Sequence, residues 1–334
     1  MAPAGQYEGR RVLVTGAGGF IGSHLVEALV AAGARVRALL KYSSRADCGN
    51  LEFAPPAVLR QVEVLRGDVR DPFFLLHGCD GVDVVFHLAA LIAIPHSYLS
   101  PAEYVATNVT GTLNVLEAAR RCGASRVVHV STSETYGTAQ YRPIDERHPC
   151  VTQSPYAATK AGADKLAESY HLSFGLPVVT VRPFNTYGPR QSARAVIPTI
   201  LSQLLAGRPE LRLGATDPQR DLTFVTDTAA GLMAVGGSDA AVGRAVNLGT
   251  GRAVSVGELA ERCMAVVGRR VPVVADAVRV RPAASEVMAL VSDNRLAGDV
   301  SGWRPVVSLE DGLRRCAEFV AAHPHLYNPE EYQR

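Results

Sequence analysis

Arg11-Val12-Leu13-Val14-Thr15, followed directly by Gly16-Ala17-Gly18-Gly19-Phe20-Ile21-Gly22, decides the fold. A short run that is apolar on both faces breaks into a glycine-rich turn, and an amphipathic stretch begins at once. Ile21, Leu25, Leu29 and Ala32 then fall at helical spacing, and Gly33 supplies the stop. A bare glycine string serves many ordinary turns. At a strand-to-helix junction, however, glycines let the backbone approach a pyrophosphate, and the amino end of the helix favours its charge. The segment therefore predicts a dinucleotide site, with Gly16, Gly19, Phe20, Ile21 and Gly22 as its cradle.

Outward from this turn the same alternation repeats. Apolar runs at Arg35–Leu40, Val62–Gly67, Val82–Leu88, Arg126–Ser131 and Val178–Arg182 are separated by helical patterns, clearest at Pro101–Cys122 and Ser154–Phe174. Strands apolar on both faces, separated by helices, predict an α/β fold of Rossmann type, a doubly wound parallel sheet covered on both sides. Beyond about residue 183 the rhythm loosens. Short strands at Leu222–Thr226, Ala245–Leu248 and Val271–Val274, with helices at Val196–Ala206, Val256–Val267 and Ser308–Ala322, predict a smaller α+β lobe. The expected division is a dinucleotide-binding domain over 1–183 and a substrate lobe over 184–334, with chain segments free to interleave.

Composition narrows the function. Lys and Arg number 34 against 32 Asp and Glu, a formal charge of +2 that argues against a nucleic-acid partner. No apolar stretch approaches the roughly 20 residues of a membrane helix, and the first ten residues lack a secretory core, so a cytoplasmic enzyme is expected. The six cysteines are widely spaced with no Cys-x-x-Cys pair, and no metal site is expected. The cations are 31 Arg and only 3 Lys, namely Lys41, Lys160 and Lys165. Arg does not readily give up its proton or act as a compact point charge, so a Lys retained beside a titrating group stands out.

Lys160 is such a residue. Tyr156-Ala157-Ala158-Thr159-Lys160 opens a long helix, and a spacing of four puts both side chains on one face. An ammonium there would stabilise a phenolate able to take a hydroxyl proton. Ser131-Thr132-Ser133-Glu134 ends the fifth strand, at the carboxyl edge where open sheets bind ligands.

Gly-x-x-Gly-x-x-Gly at 16, 19 and 22 resembles the short-chain dehydrogenase/reductase superfamily, and further landmarks resemble its extended branch. The resemblance implies that Asp68 and Val69 contact adenine. It also implies cofactor contacts for Leu88, Ala89, Ala90 and Asn108, and a substrate-orienting role for Thr132. At the end of the second strand an NAD enzyme usually has an acid. Here Leu40 is followed by Lys41-Tyr42-Ser43-Ser44-Arg45, similar to the stretch of GDP-mannose 4,6-dehydratases that use NADP. The expected cofactor is NAD or NADP, tightly bound and recycled, with Lys41 and Ser44 tilting the reading to NADP through a 2′-phosphate.

Glu134 separates the reactions. A 4-epimerase needs only Tyr, Lys and an orienting hydroxyl. A carboxylate two residues after Thr132 suits removal of a carbon-bound proton. Ser-Thr-Ser-Glu resembles GDP-mannose 4,6-dehydratases and UDP-glucuronate decarboxylases. In dTDP-glucose 4,6-dehydratases an Asp stands where this chain has Ser133 and acts as the acid for water loss, so here Glu134, once protonated, is the candidate donor, with Ser133 beside it in the site. The nearest resemblance, through Ala89–Pro95, Thr132–Gly137 and Asn185–Thr199, is to NDP-N-acetylglucosamine 4,6-dehydratases of legionaminic acid pathways. It implies that Asn185, Arg190, Arg220 and Arg281 meet the nucleotide sugar. His96, Ser97 and Tyr98 read either as sugar pocket or as loop. It also implies a homodimer through a four-helix interface of the two long helices. The expected function is thus a nucleotide-sugar 4,6-dehydratase. The decarboxylase and the 4-epimerase are alternatives, as is a cofactor sensor without turnover.

Overall fold

A computed structural model describes residues 5–45, 47–276, 279 and 286–329. Seven parallel strands form the central sheet, in the order Ala245–Leu248 (β10), Val178–Pro183 (β6), Arg126–Val130 (β5), Val84–His87 (β4), Arg11–Thr15 (β1), Arg35–Lys41 (β2) and Val62–Gly67 (β3). Among the described residues the remaining strands are Asn185–Tyr187 (β7), Leu211–Leu213 (β8), Gln219–Phe224 (β9), Ala253–Ser255 (β11), Val273–Ala275 (β12) and Ala289–Leu290 (β13). The order reverses beside β1, and the carboxyl edge at that point is where a doubly wound sheet opens its crevice.

Both faces are covered. On one, Leu25 and Leu29 of the first helix (Phe20–Ala31) pack with Leu232 and Val235 of the helix Val225–Gly236. On the other, Val115, Leu116 and Ala119 meet Leu75 and Ala167. Each fully buried leucine contributes roughly 1.5–3 kcal/mol. A third core, built on Ile197, Ile200, Leu259, Met264 and Leu313, belongs to the lobe.

Two features go beyond the local sequence pattern. Chain beyond residue 183 returns to the main sheet. β10 completes the main sheet beside β6, and Val235, Ala297 and Trp303 lie in its core. Short apolar strands carry no mark of the sheet they join. The helix expected over Pro101–Cys122 is also not continuous. It runs Pro101–Tyr104, passes through one wide π turn at Val105–Thr110, and resumes at Gly111–Arg121. The wide turn carries Asn108, which is fully buried. Its side chain accepts from the Leu91 amide (2.9 Å) and donates to the Leu91 carbonyl and to Thr159 Oγ1 (both 3.0 Å). Such turns are frequent at functional sites.

Candidate active site

The loops at the carboxyl ends of β1, β4, β5 and β6 meet the lobe around a cleft of about 810 Å³. Gly16, Gly18, Gly19, Phe20, Ile21 and Gly22 form one end of it. Gly16 has φ +71°, and a Cβ there would lie 2.8 Å from the Ala89 amide nitrogen. On Gly22 a Cβ would lie 2.2 Å from the Gly16 carbonyl oxygen. The first helix has Gly19 as its cap, no side-chain cap and no acid in its first turn. Bare amides at a helix amino end, facing a cleft, suit a pyrophosphate. Leu88, Ala89 and Ala90 line the same wall, tied to β1 by the Ala89 amide donating to Thr15 Oγ1 at 3.1 Å. This donor set fits a dinucleotide.

Beyond β2 the wall departs from expectation. Lys41 lines the cleft but Ser44, also exposed, does not. Asp47 does, so an acid is present after all, displaced from the strand end into the following loop. Asp68 and Val69 are not on the cleft. Asp68 is ion-paired with Arg70 at 2.6 Å, and Val69 is buried in the core. Asn108 likewise stands behind the cleft. It braces Leu91 and, through Thr159, whose hydroxyl donates to the Tyr156 carbonyl at 2.8 Å, the first turn of the helix that carries Tyr156 and Lys160.

Thr132, Ser133, Glu134, Tyr156 and Lys160 all line the cleft. Thr132 caps the short turn Ser133–Tyr136, its Oγ1 accepting from the Glu134 amide at 3.2 Å. Ser154 caps the helix Pro155–Phe174 in the same way, accepting from the Ala157 amide at 3.1 Å, and so fixes where Tyr156 begins to turn. Burial pushes the Tyr156 phenol well above its ordinary value, the Thr132 hydrogen bond opposes this, and the nearby Glu134 charge adds to it. Burial pulls the Lys160 ammonium down to about 8, and its Nζ donates to the Val130 carbonyl at 2.8 Å.

Under this edge lies a buried network that the sequence did not announce. Asp164, one turn beyond Lys160, takes Arg182 Nε at 3.1 Å and Nη2 at 3.0 Å on one oxygen, with His129 Nε2 at 3.1 Å from the other. Burial alone would raise the Asp164 carboxyl, but the His129 contact and the charges of His129 and Arg182 hold it near 2. Arg182 also donates to the Tyr136 hydroxyl at 3.0 Å, which in turn donates to Asn247 Oδ1 at 2.8 Å. The one available signal was the spacing: Tyr156, Lys160 and Asp164 share a helix face at successive fours.

On the lobe side, Asn185 and Arg220 line the cleft, and Arg220 pairs with Glu286 at 3.0 Å. Asn185 Oδ1 and Gln191 Oε1 are buried with no partner from the protein. Arg190 is buried and does not line the cleft, its guanidinium being held by Ser23, Glu27 and Phe53. Arg281 lies outside the described residues. His96, Ser97 and Tyr98 do not line the cleft either, and Ser97 is buried with its hydroxyl on the Ile94 carbonyl at 2.6 Å. Arg194, Ser192 and Thr199 do line it, without having been foreseen.

With the glycine turn under a helix end and the Tyr–Lys–Thr edge in place, the family model described as GDP-mannose 4,6 dehydratase matches residues 13–316. The chain belongs to that family. Within it, the chain is 36% identical to a UDP-glucose 4-epimerase of Mycolicibacterium smegmatis over 321 residues, 92% of this chain and 98% of that one. DesIV, a dTDP-glucose 4,6-dehydratase from Streptomyces venezuelae solved with NAD bound, superposes with a TM-score of 0.84 at 32% identity, covering 96% of this chain and all (100%) of DesIV. TunA, an NAD-dependent NDP-hexosamine 5,6-dehydratase involved in tunicamycin biosynthesis, superposes with a TM-score of 0.81 at 29% identity, covering 96% and 100%. As a GDP-mannose 4,6 dehydratase family member the chain is an enzyme of the NAD-dependent nucleotide-sugar dehydratase/epimerase group. Among the described residues no helix is long and apolar enough to cross a membrane.

Proposed function

We propose that the protein is a nucleotide-sugar 4,6-dehydratase that converts an NDP-hexose to its 4-keto-6-deoxy form, with NDP-N-acetylglucosamine the favoured substrate class. The observation that carries this is Glu134, a carboxylate on the cleft close enough to raise the Tyr156 phenol. Tyr156, supported by the Lys160 charge and the Thr132 hydroxyl, takes the C4 hydroxyl proton. Bound dinucleotide supplies a reversible acceptor for hydride, held by the Gly16–Gly22 turn and the Leu88–Ala90 wall. With C4 a ketone, the C5 proton is α to a carbonyl, and Glu134 removes it. The C6 hydroxyl then leaves as water with the proton Glu134 has taken, Ser133 being no acid. Glu134, once it has taken up a proton from solvent, returns one to C5, and the hydride held by the dinucleotide would go back to C6.

Turnover in heavy water should place deuterium at C5. Glu134→Gln should slow turnover by about 10²–10⁴-fold while reduced nicotinamide accumulates. Unchanged turnover by this variant, or no label at C5, sinks the Glu134 role. A 4-epimerase, the activity of one close relative, leaves Glu134 without a task and C5 unlabelled. A decarboxylase would release carbon dioxide and a pentose product. A 5,6-dehydratase, the activity of TunA, shares the steps through water loss and would yield an unsaturated rather than a 6-deoxy sugar.

For the cofactor we favour NAD, because Asp47 lines the same wall as Lys41 and a carboxylate there suits a ribose hydroxyl better than a phosphate. A clear preference for NADP in direct titration would return the reading to Lys41. A homodimer remains the proposed assembly. Leu113 on one long helix and Leu172 and Phe174 on the other are exposed apolar residues that a four-helix contact would cover, and light scattering at the 35.5 kDa monomer mass would reject it.

A further inference from the structure

Arg190 has φ +71°, the only side-chain-bearing residue among those described to sit in the left-handed region. It is also buried, which for a cation requires dedicated partners. Those partners come from two places far away in sequence. On the first helix, Nη1 reaches Ser23 Oγ at 3.2 Å and Nη2 reaches Glu27 at 2.6 Å. From the turn Gly49–Phe53, the Phe53 carbonyl accepts Nη2 at 3.0 Å. The backbone is gripped as well. Asn50 Nδ2 donates to the Arg190 carbonyl at 3.1 Å, and His24 Nε2 donates to the Pro189 carbonyl at 3.1 Å.

Each of these anchors sits on an element that borders the dinucleotide end of the cleft. The first helix begins at the Gly16–Gly22 turn. The Asn50 amide donates to the Gly18 carbonyl at 2.9 Å, and Asp47, Cys48 and Gly49, just upstream, line the cleft. On the other side of Arg190 the chain runs straight into the substrate end, where Gln191, Ser192, Arg194 and Thr199 line the cleft. Two contacts brace that exit: Gln191 Nε2 donates to the Thr186 carbonyl at 2.9 Å, and the Tyr327 hydroxyl donates to the Gln191 carbonyl at 3.1 Å.

The geometry points to Arg190 as a positioning residue that couples the two ends. Ordering of the Gly16–Gly22 turn and the 47–53 loop around a dinucleotide is transmitted through its guanidinium to residues 190–199, which then present their side chains to the nucleotide sugar. Arg190 touches neither ligand and takes no part in the chemistry. Its left-handed backbone aims the guanidinium back at the first helix while the chain continues forward into the substrate wall. The coupling rests on the reading of the cleft as a dinucleotide site, and it is indifferent to which sugar reaction follows.

Amide hydrogen exchange on the full chain, with NAD as the probe, tests it. In the wild type, saturating NAD should slow exchange at residues 16–22 and 47–53 and also, by about fivefold or more, at 190–199. Arg190→Lys keeps the charge beside Glu27 but loses the planar fork needed to hold Ser23 and Phe53 together. It should retain the slowing at 16–22 and lose it at 190–199, a split that a general loss of stability does not produce. Glu27→Gln, which does not line the cleft, should weaken the same response and serves if the lysine variant fails to fold. Exchange at 190–199 that ignores NAD in the wild type, or responds equally in the variants, overturns the coupling. No slowing at 16–22 with either NAD or NADP overturns the cofactor reading itself, and the coupling with it.

Discussion

The two walls of the cleft are built from different materials. The dinucleotide wall is mostly backbone: the Gly16–Gly22 turn, bare helix amides, and the Leu88–Ala90 segment pressed against Gly16. The opposite wall and the floor are side-chain constructions, held by ion pairs between distant parts of the chain, Arg182 with Asp164, Arg190 with Glu27 and Arg220 with Glu286. A backbone wall tolerates almost no added atoms. A charged wall tolerates changes of shape but not the loss of one partner, because the other is then left buried and unpaired.

The sharpest way to separate these materials is to break the floor. Asp164→Asn leaves the Arg182 guanidinium buried opposite a neutral amide, and a loss of about 3–5 kcal/mol in urea unfolding is expected. A loss below about 1 kcal/mol would mean that the floor relaxes as freely as a surface pair does. On the backbone wall, Gly22→Ala sets a methyl 2.2 Å from the Gly16 carbonyl oxygen, where neither partner is a flexible side chain. About 1–3 kcal/mol of stability should go, together with dinucleotide binding. Retained affinity, measured by titration, would show that the turn has slack.

A gentler perturbation is pH. With Lys160 held near 8 by burial, its cationic form declines above that value. If the ammonium supports a Tyr156 phenolate, turnover should fall about tenfold per unit above about pH 8. A flat profile through this range assigns the support elsewhere. Because the folded value lies below the ordinary 10.5, the unfolded chain binds the extra proton between the two values. This group's contribution to stability therefore rises with pH across that window, opposite in sign to its expected effect on turnover.

The same contrast explains what could be read in advance. Local patterns carry the backbone wall: alternating apolar runs placed β1 to β6, the glycines placed the turn, and a spacing of four paired Tyr156 with Lys160. The motif around Arg190 is local, whereas its partner Glu27 stands 163 positions earlier. Asp164 and Arg182 went unread for the same reason, each being ordinary until the fold sets them at 3.0 Å. Asp68 pairs with Arg70, two residues on, a contact that its place after β3 does not by itself reveal. Side chains that gain meaning only from a distant partner leave little local trace.

The late arrival of β10 has a consequence for any attempt to recombine this enzyme with its relatives. Residues 245–248 complete the sheet only after the chain has left to build much of the lobe, so the lobe is fastened to the sheet at both of its ends. Deleting everything after Pro183 would remove the neighbour of β6 and leave that strand, with its fully buried Val179 and Val181, as a bare edge, and an exchange would put a foreign strand there. Unprotected edges of this kind recruit other chains. A chimera that exchanges sugar specificity should therefore replace the lobe as an insert, keeping Ala245–Leu248 with the sheet it closes.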